Sequence, residues 1–258
     1  MHNYQNSGRP RDEERMISII VAVFNGADTI QRCIDSVAKQ TYPIKELIVM
    51  DGGSTDGTVE ILRSNDSEIT YWESKPDRGM YHAWNKALDR VNGEWVCFLG
   101  ADDQFATAAS LSTLVSKQNS HINFVSGRAK LVDEKGHVLK VEGAPWSWEG
   151  MKGYQVIAHP ASLHHWSLFE EYGTFDETYK IAGDYDFLLR VGSNIRAAYV
   201  DKVVVICEVG GLSRSQLRRV FKETRKIQSA HPEIGFYWAW AYYIVLFKAI
   251  LRRLIRGF

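Results

Sequence analysis

Short unbroken apolar runs alternate along the chain with segments whose apolar residues recur every three or four positions. Residues 17–23 and 46–50 are continuous and rich in β-branched side chains, the pattern of strands covered on both faces. Between them Ile30, Cys33, Ile34 and Val37 share one helical face, with Asp28 as the expected N-cap and Gln31 completing a capping box. Val59, Ile61 and Leu62 predict a short helix, and 69–72 a strand. Met80, Ala83, Trp84, Ala87, Leu88 and Val91 form the most regular helical stripe. Val96 to Leu99 lie between Gly93 and Gly100, too short for a helix, and read as a buried strand that runs into Asp102-Asp103. Leu111, Leu114 and Val115 mark another helix and 122–125 another strand, while 129–132 and 137–141 form a hairpin across Asp133-Glu134-Lys135-Gly136. This alternation over the first 125 residues predicts an α/β fold with a largely parallel, doubly wound sheet.

Further on the pattern is less regular. Residues 145–148 and 158–161 read as loops, Ile181 to Asp186 open a helix that continues through Phe187, Leu188 and Leu189, and 197–208 supply more strand. Two helices are expected at the end, a basic one over 213–230 and an aromatic one over 233–256. The chain therefore divides into a flexible tail (1–15), one α/β domain (16–212) and a basic, aromatic-rich helical extension (213–258).

With 258 residues, 45% of them hydrophobic, the chain can bury a substantial core. Cys33, Cys97 and Cys207 have no metal-type spacing; Cys97 and Cys207 read as buried thiols, which suits a reducing compartment. The polar first 15 residues lack the apolar core of a signal peptide, so the expected location is cytoplasmic. Net charge is zero but uneven: residues 213–258 carry +8 and the remainder −8. Residues 236–247 hold no charge and several aromatics, but Lys248, Arg252, Arg253 and Arg256 follow before the ~20 apolar residues of a membrane span accumulate. Segment 236–258 is thus expected to lie on the anionic inner face of a membrane, the alternative being packing on its own domain or on a second copy in a homo-oligomer. Nucleic acid is not among the expected partners.

Strand ends of open α/β sheets are where ligands sit. Two adjacent carboxylates there repel each other unless donors or a hard cation compensate, and Mg²⁺ or Mn²⁺ take carboxylate and phosphate oxygens together. Taken singly, Asp102-Asp103 also reads as a helix cap plus a loop acid. Asp51, at the end of the second strand, would open on the same sheet edge, and Asp184 begins a helix.

Five ordered segments carry a resemblance. They are Ile19-Ile20-Val21-Ala22-Val23-Phe24-Asn25; Leu47-Ile48-Val49-Met50-Asp51-Gly52-Gly53-Ser54-Thr55-Asp56-Gly57-Thr58; Arg78 to Lys86; Leu99-Gly100-Ala101-Asp102-Asp103; and Gly183-Asp184-Tyr185-Asp186. Together they resemble family-two inverting glycosyltransferases of the GT-A fold, including those that build bacterial surface polysaccharides. The resemblance implies transfer of a sugar from a nucleotide-diphosphate donor, UDP-linked by preference, to a hydroxyl of a glycan or lipid-linked acceptor. Val21, Phe24, Asp51, Arg78, Asn85 and Asp102 would meet the donor, with Phe24 and Asp51 at the base. Asp102 and Asp103 would hold Mn²⁺ or Mg²⁺ on the diphosphate, and Asp184 would be the catalytic base, with Asp186 in reserve. The chain departs from the family at Gly100 and Gly183, where acids are common. His159 is open to an acceptor or phosphate contact, Lys86 to a phosphate contact. A binding scaffold without catalysis is one alternative. A sugar nucleotidyltransferase is another, disfavoured because the first turn, Phe24-Asn25-Gly26-Ala27-Asp28, lacks Lys or Arg. No G-x-G-x-x-G follows the first strand, which argues against a redox dinucleotide enzyme.

Overall fold

A computed structural model describes residues 15–208 and 216–234. The expected membrane-facing segment 236–258 and the tail before residue 15 lie outside the described residues.

The elements follow the apolar pattern closely in the first half. They are β1 (Ile17–Val23), α1 (Ile30–Ala38), β2 (Lys45–Asp51), α2 (Thr58–Ser64), β3 (Tyr71–Ser74), α3 (Met80–Leu88), β4 (Trp95–Gly100), β5 (Gln104–Phe105) and α4 (Ser110–Val115). The continuous runs become strands because both faces are covered by helices, so no polar residue is needed on either side. The second half contains β6 (Phe124–Val132), β7 (Val138–Glu142), α5 (Trp148–Gly153), β8 (Ser162–His165), α6 (Ser167–Tyr172), α7 (Gly183–Val191), β9 (Ala197–Glu208) and α8 (Leu217–Ala230).

All the described strands join one curled sheet in the order β3-β2-β1-β4-β8-β6-β9-β5, with β7 on β6. The β3-β2-β1-β4 block is parallel, and β8 enters antiparallel to both β4 and β6. Ala22 of β1 lies level with Met50 of β2 and Gly100 of β4, so the three strands end together and their loops share one edge. One face of the sheet is packed by α1, α2 and α4, with Ile30, Cys33, Ile34 and Val37 buried as the stripe requires. The other face carries α3, α6, α7 and α8 around a dense aromatic core of Trp84, Phe98, Phe169, Phe175 and Phe187.

Several local expectations shift. Helix α1 begins one residue later than a cap at Asp28 would set: Thr29 is the N-cap, without a side-chain cap bond, and the Gly26 carbonyl accepts from the Thr29 and Ile30 amides instead. The strand expected at 69–72 pairs over 71–74, and the segments 122–125 and 129–132 are one strand, β6, carried past a register shift against β9. Cys207 is half-buried rather than enclosed. Strand β8 and helices α5 and α6 have too little local periodicity to be read beforehand. Among the described residues no helix is long and apolar enough to cross a membrane.

Candidate active site

The loops after β1 and β2 are built as one unit. Asn25 takes a left-handed conformation (φ 50°), which Asn tolerates, and this turns the chain so that Phe24 stands out, 66% exposed. The Asn25 side chain accepts from the Thr55 amide (3.0 Å), and its own amide donates to the Ser54 hydroxyl (2.7 Å). The Gly26 amide donates to Thr58 Oγ1 (2.9 Å) and the Ala27 amide to Asp56 (3.0 Å). The Thr58 hydroxyl, which donates to Asp56 (2.6 Å), and after it the Ala27 amide hold the Asp56 carboxyl below the usual carboxylate range.

Asp51 ends β2 with only 1% of its surface exposed. A carboxylate so enclosed needs donors, and four are present: the amides of Gly53 (3.1 Å) and Ser54 (3.0 Å) and the hydroxyls of Ser54 and Ser74. Asp51 thereby folds the loop beneath Phe24. A Cβ at Gly52 would stand 2.9 Å from Asp77 Oδ2 and 3.3 Å from the Phe24 ring, so these two side chains close over the bare glycine. Asp77 joins this cluster and also accepts from the Gly79 amide (2.7 Å) at the start of α3. It sits one residue before the motif that begins at Arg78, and its acidic side chain beside Gly79 was the available signal for it.

The carboxylates after β4 are not equivalent. Asp103 is buried, and its Oδ2 accepts from the Gly100 amide (2.9 Å). Asp102 is half-buried; burial pushes its carboxyl up, Glu208 adds to this, and Arg32 opposes it. Arg32 and Glu208 are themselves paired at 2.9 Å. A Cβ at Gly100 would come within 2.7 Å of Asp102 Oδ1 and 2.9 Å of Asp103 Oδ2, so the glycine leaves the space into which both carboxylates turn. Among the described residues no set of three or more His, Cys, Asp or Glu side chains is placed to hold a metal. One partly exposed carboxylate beside a second still fits a Mg²⁺-type ion, which is commonly held by one or two carboxylates with substrate phosphates and water. Ala101 lies against the β1–α1 loop, 3.7 Å from where a Gly26 Cβ would be, so Asp102 borders the Phe24–Asp51 cluster.

Asp184 stands in the first turn of α7, half-buried, and accepts from the Tyr81 hydroxyl (3.1 Å) and the Gln155 amide (2.9 Å). Burial pushes its carboxyl above the ordinary range, and these two bonds work against that shift. A side chain at Gly183 would strike the Tyr81 ring at 2.8 Å, which explains why no acid occupies that position. Asp186 faces elsewhere, bound to Arg190 Nε (3.0 Å) with His231 at 3.7 Å.

Other expected donor contacts have identified partners. The Asn85 amide group holds the loop at 175–177, donating to the Phe175 carbonyl (2.9 Å) and accepting from the Phe175 amide (3.0 Å). Arg78 is 66% exposed on its side chain and pairs with Glu177, and Lys86 pairs with Glu73. The Lys180 ammonium donates to the Arg78 carbonyl (2.6 Å), stapling the approach to Asp184 onto the start of α3. Val21 is a correction: it is wholly enclosed in the core between Val49 and Leu99 and offers a ligand no surface, whereas Phe24, three residues on, does. His159 is likewise a core residue, stacked on Trp84 and Phe98 and pushed down to about 3 by burial. The Asp51 loop and Asp102 thus border one edge of the sheet, and Asp184 is joined through Tyr81 to α3, whose start meets that edge at Asp77. Tyr81 and Gln155, which aim Asp184, had no signal in the sequence as its partners.

The sequence model of Glycosyl transferase family 2 matches residues 18–162. A PGL/p-HBAD biosynthesis glycosyltransferase of Mycobacterium bovis is 32% identical over 218 residues, covering 80% of this chain and 82% of the relative. An uncharacterized glycosyltransferase of Mycobacterium tuberculosis is 32% identical over 234 residues, covering 85% and 86%. Among solved structures, residues 1–349 of Staphylococcus aureus TarS with UDP-GlcNAc superpose with a TM-score of 0.66 at 19% identity, over 88% of this chain and 72% of that one. This chain spans 43% of the longer TarS structure. A mannosyltransferase of Pyrobaculum calidifontis with GDP-Man and Mn²⁺ gives a TM-score of 0.64 at 19% identity, over 89% and 72%. At such identities the structural likeness establishes the GT-A fold.

Proposed function

Because the chain belongs to glycosyltransferase family 2, we propose that it transfers a sugar, with inversion, from a nucleotide-diphosphate donor to a hydroxyl of a glycan or lipid-linked acceptor. The donor is UDP-linked by preference, as in the UDP-GlcNAc complex of TarS. The observation that supports the reading best is the half-buried Asp184 carboxylate, held by the Tyr81 hydroxyl and the Gln155 amide at the start of α7.

Phe24 offers its exposed ring to the nucleotide base. Asp51 serves that pocket through the 52–54 loop it folds, since its own oxygens are engaged there. Asp102, with Asp103 behind it, would hold Mn²⁺ or Mg²⁺, whose positive charge offsets the charge growing on the leaving diphosphate. Arg78 reaches a phosphate only on leaving Glu177.

Asp184 removes the acceptor proton as the oxygen attacks the anomeric carbon and the diphosphate departs from the opposite face. Burial suits it to this work: a raised carboxyl is a stronger base while still ionised near neutral pH. One base suffices for a single displacement, unlike the carboxylate pair of a glycosidase. Segment 236–258 would seat the enzyme on an anionic membrane face, where a lipid-linked acceptor is within reach. Its removal should then release the enzyme from membrane fractions.

The test is a thermal-shift panel of UDP- and GDP-sugars with and without Mn²⁺, followed by nucleotide release from the stabilising donor. Asp184→Asn should retain donor binding and lose about 10²–10⁴ of turnover, the usual range for a general base. Undiminished turnover in Asp184→Asn, or no stabilisation by any nucleotide sugar, rejects the reading.

A further inference from the structure

Helix α8 lies beyond the stretch matched by the family, yet it is packed into the molecule. Ile227 is fully buried, and Ile234 just after the helix is too, both within the aromatic core beneath α7. One turn before Ile227 the same helix buries a carboxylate: Glu223 is 9% exposed. An enclosed carboxylate is costly unless its oxygens find donors. Here they find a nest of successive backbone amides. Lys180 (3.0 Å), Ile181 (2.9 Å) and Ala182 (3.1 Å) all donate to Oε2, and Arg219 supports Oε1 at 3.2 Å.

Those amides lead directly into Gly183 and Asp184. Helix α7 has Ala182 at its N-cap and no side-chain cap of its own. Glu223 supplies from another helix what a local capping side chain would, and it places negative charge where the α7 dipole favours it. A second residue of α8 acts on the opposite wall. The Gln228 amide donates to the carbonyls of Lys152 (3.2 Å) and Gly153 (3.0 Å) and to the Tyr185 hydroxyl (3.1 Å). Tyr185 in turn donates to the Met151 carbonyl (2.5 Å). Residues 152–153 end just before Gln155, whose amide binds Asp184. Both segments that fix Asp184, 180–182 behind it and 152–155 beside it, are therefore tied to one helix.

We propose that Glu223 and Gln228 are positioning residues for Asp184, and that α8 sets the orientation of the base. This rests on the reading of Asp184 as the base. It predicts that loosening α8 changes the surroundings of Asp184 without disturbing the loops around Phe24 and Asp51, which make none of these bonds.

The readout is the Asp184 carboxyl itself, followed by ¹³C NMR titration of aspartate-labelled full-length protein and assigned by its loss in Asp184→Asn. In Glu223→Gln the carboxamide turns a donor toward part of the amide nest. The loop then opens, water reaches Asp184, and its midpoint falls by about one pH unit toward an ordinary aspartate. Gln228→Leu loosens the segment that carries Gln155, whose bond favours the ionised form, and moves the midpoint by a smaller step upward, and Glu223→Asp recovers part of the wild-type value. Release of UDP from UDP-GlcNAc with Mn²⁺ should fall about tenfold in Glu223→Gln, in proportion to the lost orientation, while stabilisation by UDP is kept.

An unchanged Asp184 midpoint in both Glu223→Gln and Gln228→Leu overturns the proposal. So does loss of UDP stabilisation together with turnover in a variant that still folds, which would mark a general loss of the site rather than of the orientation of Asp184. Should Glu223→Gln not fold, Gln228→Leu decides. A wild-type Asp184 that titrates as an ordinary exposed aspartate, or whose removal leaves turnover intact, instead strikes at the base assignment and identifies that failure separately.

Discussion

The proposed nucleotide side and the proposed base side of the site are assembled in different ways. On the first, each functional side chain is held by neighbours within its own strand-end loop or the adjoining one: Asp51 by Gly53 and Ser54, Asn25 by Thr55, Asp103 by Gly100. On the second, a single carboxylate, Asp184, is held by residues about 100 positions upstream (Tyr81) and about 30 upstream (Gln155), over a loop anchored by Glu223 some 40 downstream. A site made of local turns can be written in a short motif. A carboxylate held from distant segments has no such short record.

The sharpest way to break this contrast is Asp51→Ala. It strands the Gly53 and Ser54 amides and two hydroxyls in a closed loop, at a cost of about 3 kcal/mol. Nucleotide stabilisation should vanish while the Asp184 titration stays as in the wild type, measured by thermal shift and NMR. Movement of both would show that the halves are not separable.

Acid provides the next largest effect. His159 lies under both halves, stacked on Trp84 and Phe98, and stays neutral in the folded state down to about pH 3. The unfolded chain takes up that proton near pH 6.5, so its contribution to stability is whole above 6.5 and shrinks as pH falls toward 3. At pH 5 the loss is about 2 kcal/mol from this residue. His164 adds to it in the same direction, because burial lowers it too. Denaturant melts should weaken from pH 7 to pH 5, and His159→Phe, which fits an aromatic stack, should reduce that slope to the share of His164. A slope in His159→Phe as steep as in the wild type would remove His159 from the explanation.

A smaller shift separates the halves from the other side. Gln155→Leu deletes a bond that favours the ionised form of Asp184, so the acidic limb of kcat/KM should move up by about one pH unit. Donor binding should not change; if it does, Gln155 touches the nucleotide side. The smallest effect belongs to Arg78→Ala. Its exposed pair with Glu177 is worth about 0.5 kcal/mol or less, so stability should hold. A rise in donor KM beyond a few-fold would place Arg78 on the diphosphate, and an unchanged KM would leave it a loop staple.

The chain's own order of residues determined the parallel core and the loops at the ends of β1, β2 and β4. A continuous apolar strand needs cover on both faces, and the Gly, Asp and Ser after it can close only tight local turns; hence Asp51, Gly52 and Asp102-Asp103 are legible where they stand. Tertiary structure alone decided the rest. It buried Val21 and His159 rather than offering them to a ligand, turned Asp103 back onto its strand, and brought Tyr81, Gln155 and Glu223 to the helix that bears Asp184. Such contacts join side chains by distance in space, and a linear pattern records only periodicity and neighbours.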